Sequence, residues 1–144
     1  MKYIRYFFQF VLILCSFIVF KILGPKLSSH MSGKIFEKIG PLFRSKNLIN
    51  SNIKKAFPDI DNKRINVMTN LMWNNYGRIF AEYMFIKDFR FGKLANNIEI
   101  EGQDVIDELK KSHQQVVFIS GHLSNFELMA MYLEKNNINL SAIY

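Results

Sequence analysis

The sequence predicts an α/β protein in which an N-terminal transmembrane helix and a helical segment precede the start of a mixed or parallel sheet with flanking helices. Three observations favour this architecture. A long apolar run lies near the N-terminus, apolar side chains recur every three or four residues in the middle of the chain, and strand-like and helix-like stretches alternate in the last third. With 144 residues, the chain is long enough for one modest domain.

The first element is an apolar run over residues 6–20 that contains no charged side chain. Extended to residues 3–23, with Arg5 and Lys21 snorkelling at its ends, the run reaches the roughly 20 residues that a membrane-spanning helix needs. A cleaved signal peptide is the alternative, but no cleavage site of the small-x-small type follows the run, and residues 28–30 are a poor substitute. We therefore predict a transmembrane anchor over residues 1–24.

The positive charge of the chain is concentrated around this anchor. Residues 1–46 hold eight Lys or Arg and one acid, whereas residues 47–144 hold eleven of each sign. Such a pattern suits anionic lipid headgroups, at about 1 kcal/mol for each basic residue near the surface. Nucleic acid is a weaker candidate partner, because no nucleic-acid-binding module is recognisable. The larger number of basic residues follows the anchor, so the positive-inside rule predicts a single-pass topology with the C-terminal part in the cytoplasm.

A basic segment over residues 25–45 follows the anchor, which Gly24 and Pro25 end. Its apolar residues recur at helical spacing with lysines between them, at Leu27, Met31, Ile35, Phe36 and Ile39. A basic amphipathic helix after an anchor is expected to lie on the membrane surface. The same pattern also fits a solvated helix that packs on the domain, and both interpretations stay open.

Two helices are predicted next. The first covers residues 46–57 and is ended by Pro58. Asp59 or Asp61 is expected to cap the second, which covers residues 62–86 and carries an apolar stripe rich in Met and aromatic residues. That stripe is predicted either to join the core or to form one wall of an apolar substrate slot.

The last third of the chain predicts the start of the sheet. Residues 98–101 alternate as a strand does, residues 104–111 predict a helix, and residues 116–120 are nearly all apolar, as a central parallel strand tends to be. Another helix and a final strand over residues 138–144 complete the pattern. A sheet this small leaves long unpaired edges, so we expect a second polypeptide to supply more strands.

Two proton-handling side chains, His122 and Glu127, follow the predicted strand 116–120 at the edge where α/β sheets bind ligands. His122 is a candidate general base and Glu127 its orienting partner. On one continuous helix they would point about 140° apart, so we expect His122 to precede the helix, after a tight turn at Gly121, and Glu127 to lie in its first turn. Alternatively, Ser124 and Glu127 form a capping box and His122 is an ordinary loop residue.

The block Gly121-His122-Leu-Ser-Asn125-Phe126-Glu127 resembles the His-x4-Asp/Glu block of glycerolipid acyltransferases. More narrowly, it is similar to the Gly-His-x-x-Asn-Trp-Glu form of the late acyltransferases of lipid A biosynthesis, the lauroyl/myristoyl transferase family, with Phe126 in place of Trp. The resemblance implies that His122 and Glu127 are catalytic and that Asn125 and Phe126 shape a substrate-binding turn. It implies no metal and no organic cofactor.

The resemblance also implies a reaction and its partners. A fatty acyl group would pass from acyl carrier protein to a hydroxyl of a lipid A precursor, at the cytoplasmic side of the bacterial inner membrane. Residues 46–144 would form the N-terminal part of the acyltransferase domain, and membrane lipids would surround the anchor. Glu82 resembles a Glu common in the family and is not included in the catalytic set.

Family members are longer and carry a basic block and further strands with no counterpart in this chain. The chain is therefore expected to be a split-gene or inactive fragment, and robust turnover without a second polypeptide would contradict that expectation. Two alternatives remain. One is a glycerol-phosphate or lysophospholipid acyltransferase, although such enzymes usually have Asp where this chain has Glu127. The other alternative is a non-catalytic membrane-anchored remnant.

Overall fold

The computed structural model describes residues 2–112 and 114–141, which form helices joined by turns. The α-helices are α1 (Lys2–Ile39), α2 (Lys46–Ala56), α3 (Asn62–Glu82), α4 (Ile86–Phe91), α5 (Gln103–Ser112) and α6 (Glu127–Lys135). Short 3-10 helices cover Gly40–Leu42, Tyr83–Phe85 and Ala95–Asn97. The chain divides into two compact units, residues 1–84 (unit 1) and residues 85–144 (unit 2).

The predicted α/β class is wrong, because residues 2–112 and 114–141 contain no strand and are all-α. The predicted strands 98–101 and 116–120 are irregular, and the predicted strand 138–144 is irregular up to residue 141, with residues 142–144 outside the described part. Val117 and Ile119, expected in a buried strand, are 88% and 92% exposed. An apolar run shows that a segment could be buried in a sheet. A strand forms only where a neighbouring strand accepts and donates its backbone hydrogen bonds.

The helices of the middle of the chain agree closely with their predicted positions. The predicted helix 46–57 is α2, and the predicted helix 62–86 is α3, which gives way to a 3-10 turn after Glu82. Of the two candidate caps it is Asp61 that acts, because its carboxylate accepts a hydrogen bond of 2.8 Å from the backbone N–H of Arg64. This bond satisfies one of the N–H groups that a helix start leaves without an intrahelical partner.

α1 is broken at Gly24, whose φ of 77° and ψ of 169° are not helical. This combination is essentially restricted to glycine, and Pro25 removes the next backbone donor. The Ser28 hydroxyl donates to the carbonyl oxygen of Gly24 at 2.6 Å and so satisfies a backbone group at the break. The anchor predicted to end at this Gly-Pro pair thus passes into a second helical stretch, residues 25–39, without an intervening loop.

Gly24→Ala is expected to lower the stability of unit 1 by about 1–3 kcal/mol, because alanine at this φ and ψ is strained. Thermal unfolding of the detergent-solubilised chain, followed by circular dichroism, measures the loss. Ile22→Ala is the control, since Ile22 is an exposed helical residue two positions earlier. Equal unfolding temperatures for the two variants would contradict a strained position at residue 24.

The first stretch of α1 is long and apolar enough to cross a membrane. An 18-residue window within it has a mean hydropathy of 2.3, and only 6% of that window is buried inside the protein. A helix that is apolar on all sides and uncovered by protein matches what lipid requires.

The second stretch of α1 packs closely against α3. Its contact face is made of small residues, and Ser28, Ser29, Ser32 and Gly33 are all buried. On α3, the facing residue is Gly77, where an added methyl group would lie 2.4 Å from the carbonyl oxygen of Ser32. The absence of side-chain bulk on both helices therefore lets their backbones approach each other closely.

An aromatic cluster joins both stretches of α1 to α3. The ring of Phe80 lies 5.4 Å from Phe17, 5.8 Å from Phe20 and 5.6 Å from Phe36, measured between ring centroids. Aromatic pairs at such distances contribute about 0.5–1.5 kcal/mol beyond the area that they bury. Because Phe17 and Phe20 precede the break and Phe36 follows it, Phe80 stabilises the geometry of α1 on both sides of Gly24.

Polar side chains complete the contact between α1 and α3. The Glu37 carboxylate accepts one hydrogen bond from Lys34 at 3.0 Å and another from the side-chain amide of Asn74 at 2.6 Å. The side-chain oxygen of Asn74 in turn accepts a hydrogen bond from Arg78 Nε at 2.7 Å. The hydroxyl of buried Ser29 donates to Glu82 Oε1 at 2.9 Å.

Candidate active site

The candidate residues belong to unit 2, where α6 is held by contacts with α4 and α5. Leu133 of α6 is buried. The Tyr132 hydroxyl donates to the side chain of Gln103, and Lys110 Nζ donates to Asn136 Oδ1 at 2.9 Å. These contacts orient α6 and fix the position of its first turn, which carries Glu127.

The chain makes a tight turn directly before α6. The backbone N–H of Leu123 donates to the carbonyl oxygen of Gly121 at 2.8 Å, which makes His122 the central residue of a three-residue turn. The positive φ of this region belongs to Ser124, at 48°, whereas Gly121 is not among the glycines with positive φ. The turn expected at Gly121 is therefore centred one residue later, and glycine's conformational freedom is not what permits it.

α6 begins at Glu127, with Phe126 as the N-cap residue. Ser124 lies two residues before the N-cap, so the alternative of a capping box between Ser124 and Glu127 does not form. His122 lies in the turn before the helix and Glu127 in the first helical turn, which is the placement that the pair needs if the side chains are to act together. The positive end of the helix dipole favours the negative charge of a carboxylate at this position.

His122 and Phe126 are in direct contact. Their ring centroids are 4.3 Å apart, and the ring planes meet at 77°, an edge-to-face arrangement. His122 is exposed and Phe126 is half-buried. The Phe126 ring therefore packs against the imidazole, and the rest of the imidazole stays accessible to a substrate.

Asn125 contributes to the start of α6 through its backbone. Its carbonyl oxygen accepts a hydrogen bond of 3.2 Å from the N–H of Leu128, and the carbonyl oxygen of Phe126 accepts one of 3.3 Å from Met129. These main-chain bonds tie Asn125 and Phe126 to the first turn of α6, two residues after the turn that carries His122. The role of Asn125 and Phe126 in binding a substrate stays a prediction.

Glu127 borders an open depression of about 620 Å³ in unit 2. Its walls come from α4, α6 and the segment that follows α6, and the lining residues are Ile86, Arg90, Glu127, Ala130, Met131, Glu134, Asn137, Ile138, Asn139 and Leu140. Small-molecule sites commonly have volumes of about 300–1,000 Å³ with mostly apolar walls and a few polar groups. A ligand in this depression would contact the helix face that carries Glu127.

Arg90 and Glu134 are polar residues of this depression that the sequence reasoning did not identify. They form an ion pair, and the Arg90 guanidinium also lies 4.6 Å from the centre of the Phe91 ring. One signal was available, because Glu127 and Glu134 are seven residues apart and therefore share a helix face. The partner Arg90 carries no comparable signal, since it comes from a different helix.

The described residues do not form a metal site: no group of three or more His, Cys, Asp or Glu side chains in residues 2–112 and 114–141 is placed to hold an ion. The polar groups at or near α6 include the imidazole of His122, the carboxylates of Glu127 and Glu134, and the guanidinium of Arg90. These can transfer protons and stabilise charge, which suits the activation of a hydroxyl group.

Comparison with known proteins gives the family of the chain. No curated protein and no solved structure matches the chain. The family model described as bacterial lipid A biosynthesis acyltransferase matches residues 1–144, the full length of the sequence. The chain therefore belongs to the bacterial lipid A biosynthesis acyltransferase family.

Proposed function

We propose that the chain takes part in transferring a fatty acyl group from acyl carrier protein to a hydroxyl of a lipid A precursor. The observation that carries the proposal is the position of His122, which is exposed in the turn directly before a helix whose first residue is Glu127. Membership of an acyltransferase family supplies the reaction class. A glycerolipid acceptor is less favoured, because the last position of the motif is Glu rather than Asp.

In this reaction His122 acts as the general base. Its neutral imidazole accepts the proton of the acceptor hydroxyl while the hydroxyl oxygen attacks the thioester carbonyl. The tetrahedral intermediate then collapses, the C–S bond breaks, and the imidazolium returns the proton to the leaving thiolate. An ester and a free thiol are formed, and the histidine regains its starting state.

Glu127 is the proposed orienting partner. A carboxylate that accepts from one ring nitrogen leaves the other free to act as the base and stabilises the imidazolium that forms. The position of Glu127 in the first turn of α6, shortly after the turn that carries His122, supports this role. The depression that Glu127 borders would hold part of a substrate, with Met131, Ile138 and Leu140 offering apolar contacts to an acyl chain.

Membrane anchoring gives the enzyme access to its lipid acceptor. We propose that residues 2–23 span the inner membrane once and that the rest of the chain lies on the cytoplasmic side. The exposed apolar surface of the first stretch of α1 supports the span, and the excess of basic residues after it supports the orientation.

Glu127→Gln tests the mechanism without a large change in shape. We expect the acyl-transfer rate to fall by about 10²–10⁴-fold, because a neutral amide cannot stabilise the imidazolium. The rate is measured in membranes of cells that produce the variant, with a labelled acyl group on acyl carrier protein.

The two controls of this experiment separate charge from shape. Glu127→Asp keeps the negative charge and is expected to retain more activity than Glu127→Gln. Glu108→Gln removes an exposed carboxylate from α5 and is expected to leave the rate unchanged. If Glu127→Gln transfers acyl groups as fast as Glu108→Gln, Glu127 does not orient the base.

A further inference from the structure

The second stretch of α1 exposes an apolar stripe, which we define as Leu27, Met31, Ile35, Ile39, Leu42 and Phe43. The four helical members are each between 37% and 48% exposed, and Leu42 and Phe43 are 83% and 71% exposed. In a folded protein, apolar side chains that recur along one helix face usually mark a contact surface. The stripe therefore needs a partner other than the core of unit 1.

The core contact of this helix lies on a different face. Ser28, Ser32 and Phe36 are turned toward α3, with Ser32 against Gly77 and Phe36 against Phe80. The helical stripe residues are spaced four apart, so each advances by about 40° around the helix axis and the row stays on one side. The helix thus has one face that packs on α3 and a second apolar face that unit 1 leaves uncovered.

Basic side chains run along the edge of the stripe. Lys34 and Lys38 directly precede Ile35 and Ile39 in the sequence, and both lysines are exposed. The one acid of residues 1–46, Glu37, is bound by Lys34 at 3.0 Å and by the Asn74 amide at 2.6 Å. Because Lys34 is paired with this acid, Lys38 leaves a net positive charge beside the stripe, which complements an anionic surface.

We propose that the apolar stripe docks into the anionic surface of the bilayer and that the break at Gly24 is the elbow between the spanning helix and this surface helix. The inference rests on the proposed anchoring of residues 2–23. Two observations favour lipid over a protein partner. The stripe follows the exposed apolar surface of the first stretch on the same helix, beyond the break at Gly24 and Pro25, and apolar side chains bordered by lysines match an interfacial helix.

Docking of the stripe would hold unit 1 at a defined level at the membrane surface. With Ser28 and Ser32 against α3 and Ile35 in the headgroup region, the second stretch of α1 would lie between the bilayer and the helix that it supports. The apolar members would enter the boundary between headgroups and acyl chains, about 5–10 Å deep, with Lys34 and Lys38 at the phosphates.

Spin-label depth measurements test this arrangement on the full chain in vesicles of phosphatidylethanolamine and phosphatidylglycerol. Cys15 is the only cysteine and lies in the proposed span, so a label there reports anchoring. In a Cys15→Ser background, Ile35→Cys places a label on the stripe. Val67→Cys is the matched control, because Val67 of α3 is 52% exposed and Ile35 48%.

We expect the label at residue 35 to be accessible to oxygen and shielded from a water-soluble nickel chelate. Its depth should lie between those of the labels at residues 15 and 67. The label at residue 67 should be open to the nickel chelate. If residue 35 behaves like residue 67 while residue 15 is deep, docking is overturned and anchoring stands. If residue 15 is also accessible to the chelate, both proposals fail. If residue 35 becomes shielded only when acyl carrier protein is added, its partner is a protein.

The lysines give an independent measurement. When both Lys34 and Lys38 are replaced by Gln, the ratio of docked to undocked residue-35 label is expected to fall by roughly tenfold or more in vesicles with phosphatidylglycerol. The same variant should show little change in vesicles of phosphatidylcholine alone. An equal effect in both lipids would overturn the charge-assisted docking proposed for these side chains. None of these readouts depends on enzymatic activity.

Discussion

Acyl transfer is expected to fall by about 10²–10⁴-fold in the His122→Ala variant, because the reaction loses the group that removes the proton from the attacking hydroxyl. The side chain is exposed, and its ring contacts the ring of Phe126 at 4.3 Å between centroids. Its removal should therefore leave the fold of unit 2 intact. Membranes of producing cells, supplied with a labelled acyl group on acyl carrier protein, give the rate, and mass spectrometry of their lipid A gives the product.

His30→Ala is the control for this experiment. His30 is also an exposed histidine, but it lies on α1 rather than in the turn before α6. We expect this variant to transfer acyl groups at the unaltered rate and to leave lipid A unchanged. The general-base assignment is wrong if the two alanine variants have the same rate. Circular dichroism spectra that match the unsubstituted chain exclude unfolding as the cause of a loss at residue 122.

Gly77→Leu is expected to destabilise unit 1 by about 3 kcal/mol, at the upper end of the range for overpacked positions. A Cβ atom added at residue 77 would lie 2.4 Å from the carbonyl oxygen of Ser32 and 2.8 Å from Phe36 Cβ. Neither neighbour is the end of a flexible side chain, so the two helices must separate to admit the new atoms. Thermal unfolding in detergent should show a Tm lowered on the order of 15 °C for a unit of this size.

Asn70→Leu provides the matched control, because it adds the same side chain to an exposed position of α3. Its effect is expected to stay within about 0.5 kcal/mol, as for most surface substitutions. If both leucine variants unfold at the same temperature, the close approach of α1 and α3 at residue 77 does not contribute to stability. A loss at Gly77 alone locates the destabilisation in the contact between these two helices.

The helices of unit 1 could be predicted from local chemistry. The apolar run 6–20, the Gly24-Pro25 pair and the stop before Pro58 each act within a few residues, and the structure has α1, its break and the end of α2 where they indicate. Asp61 was one of two candidate caps, and a single hydrogen bond to Arg64 distinguishes it. The face that each helix buries was harder to predict. Phe36 shares the helical spacing of Ile35 and Ile39, yet it packs against Phe80 while those two are exposed.

The sheet could not be predicted correctly, because strand pairing depends on segments that are distant in sequence. Residues 116–120 are as apolar as a central strand, but the described part of the chain offers them no paired neighbour, and Ile119 remains exposed. In the candidate site, too, features set by neighbouring residues could be predicted, and contacts between distant residues could not. The order of His122, the turn and Glu127 followed from the spacing, whereas Arg90, which pairs with Glu134 from another helix, is a tertiary feature.

Trp73 gives unit 1 a built-in optical reporter. It is the only tryptophan of the chain and is buried, and a methyl group at Gly40 would lie 2.2 Å from its indole ring. The indole therefore rests on the backbone of the 3-10 turn that follows α1. Since an indole emits at longer wavelength in water than in an apolar setting, separation of α1 from α3 should redshift the entire tryptophan emission of the protein, whatever happens in unit 2.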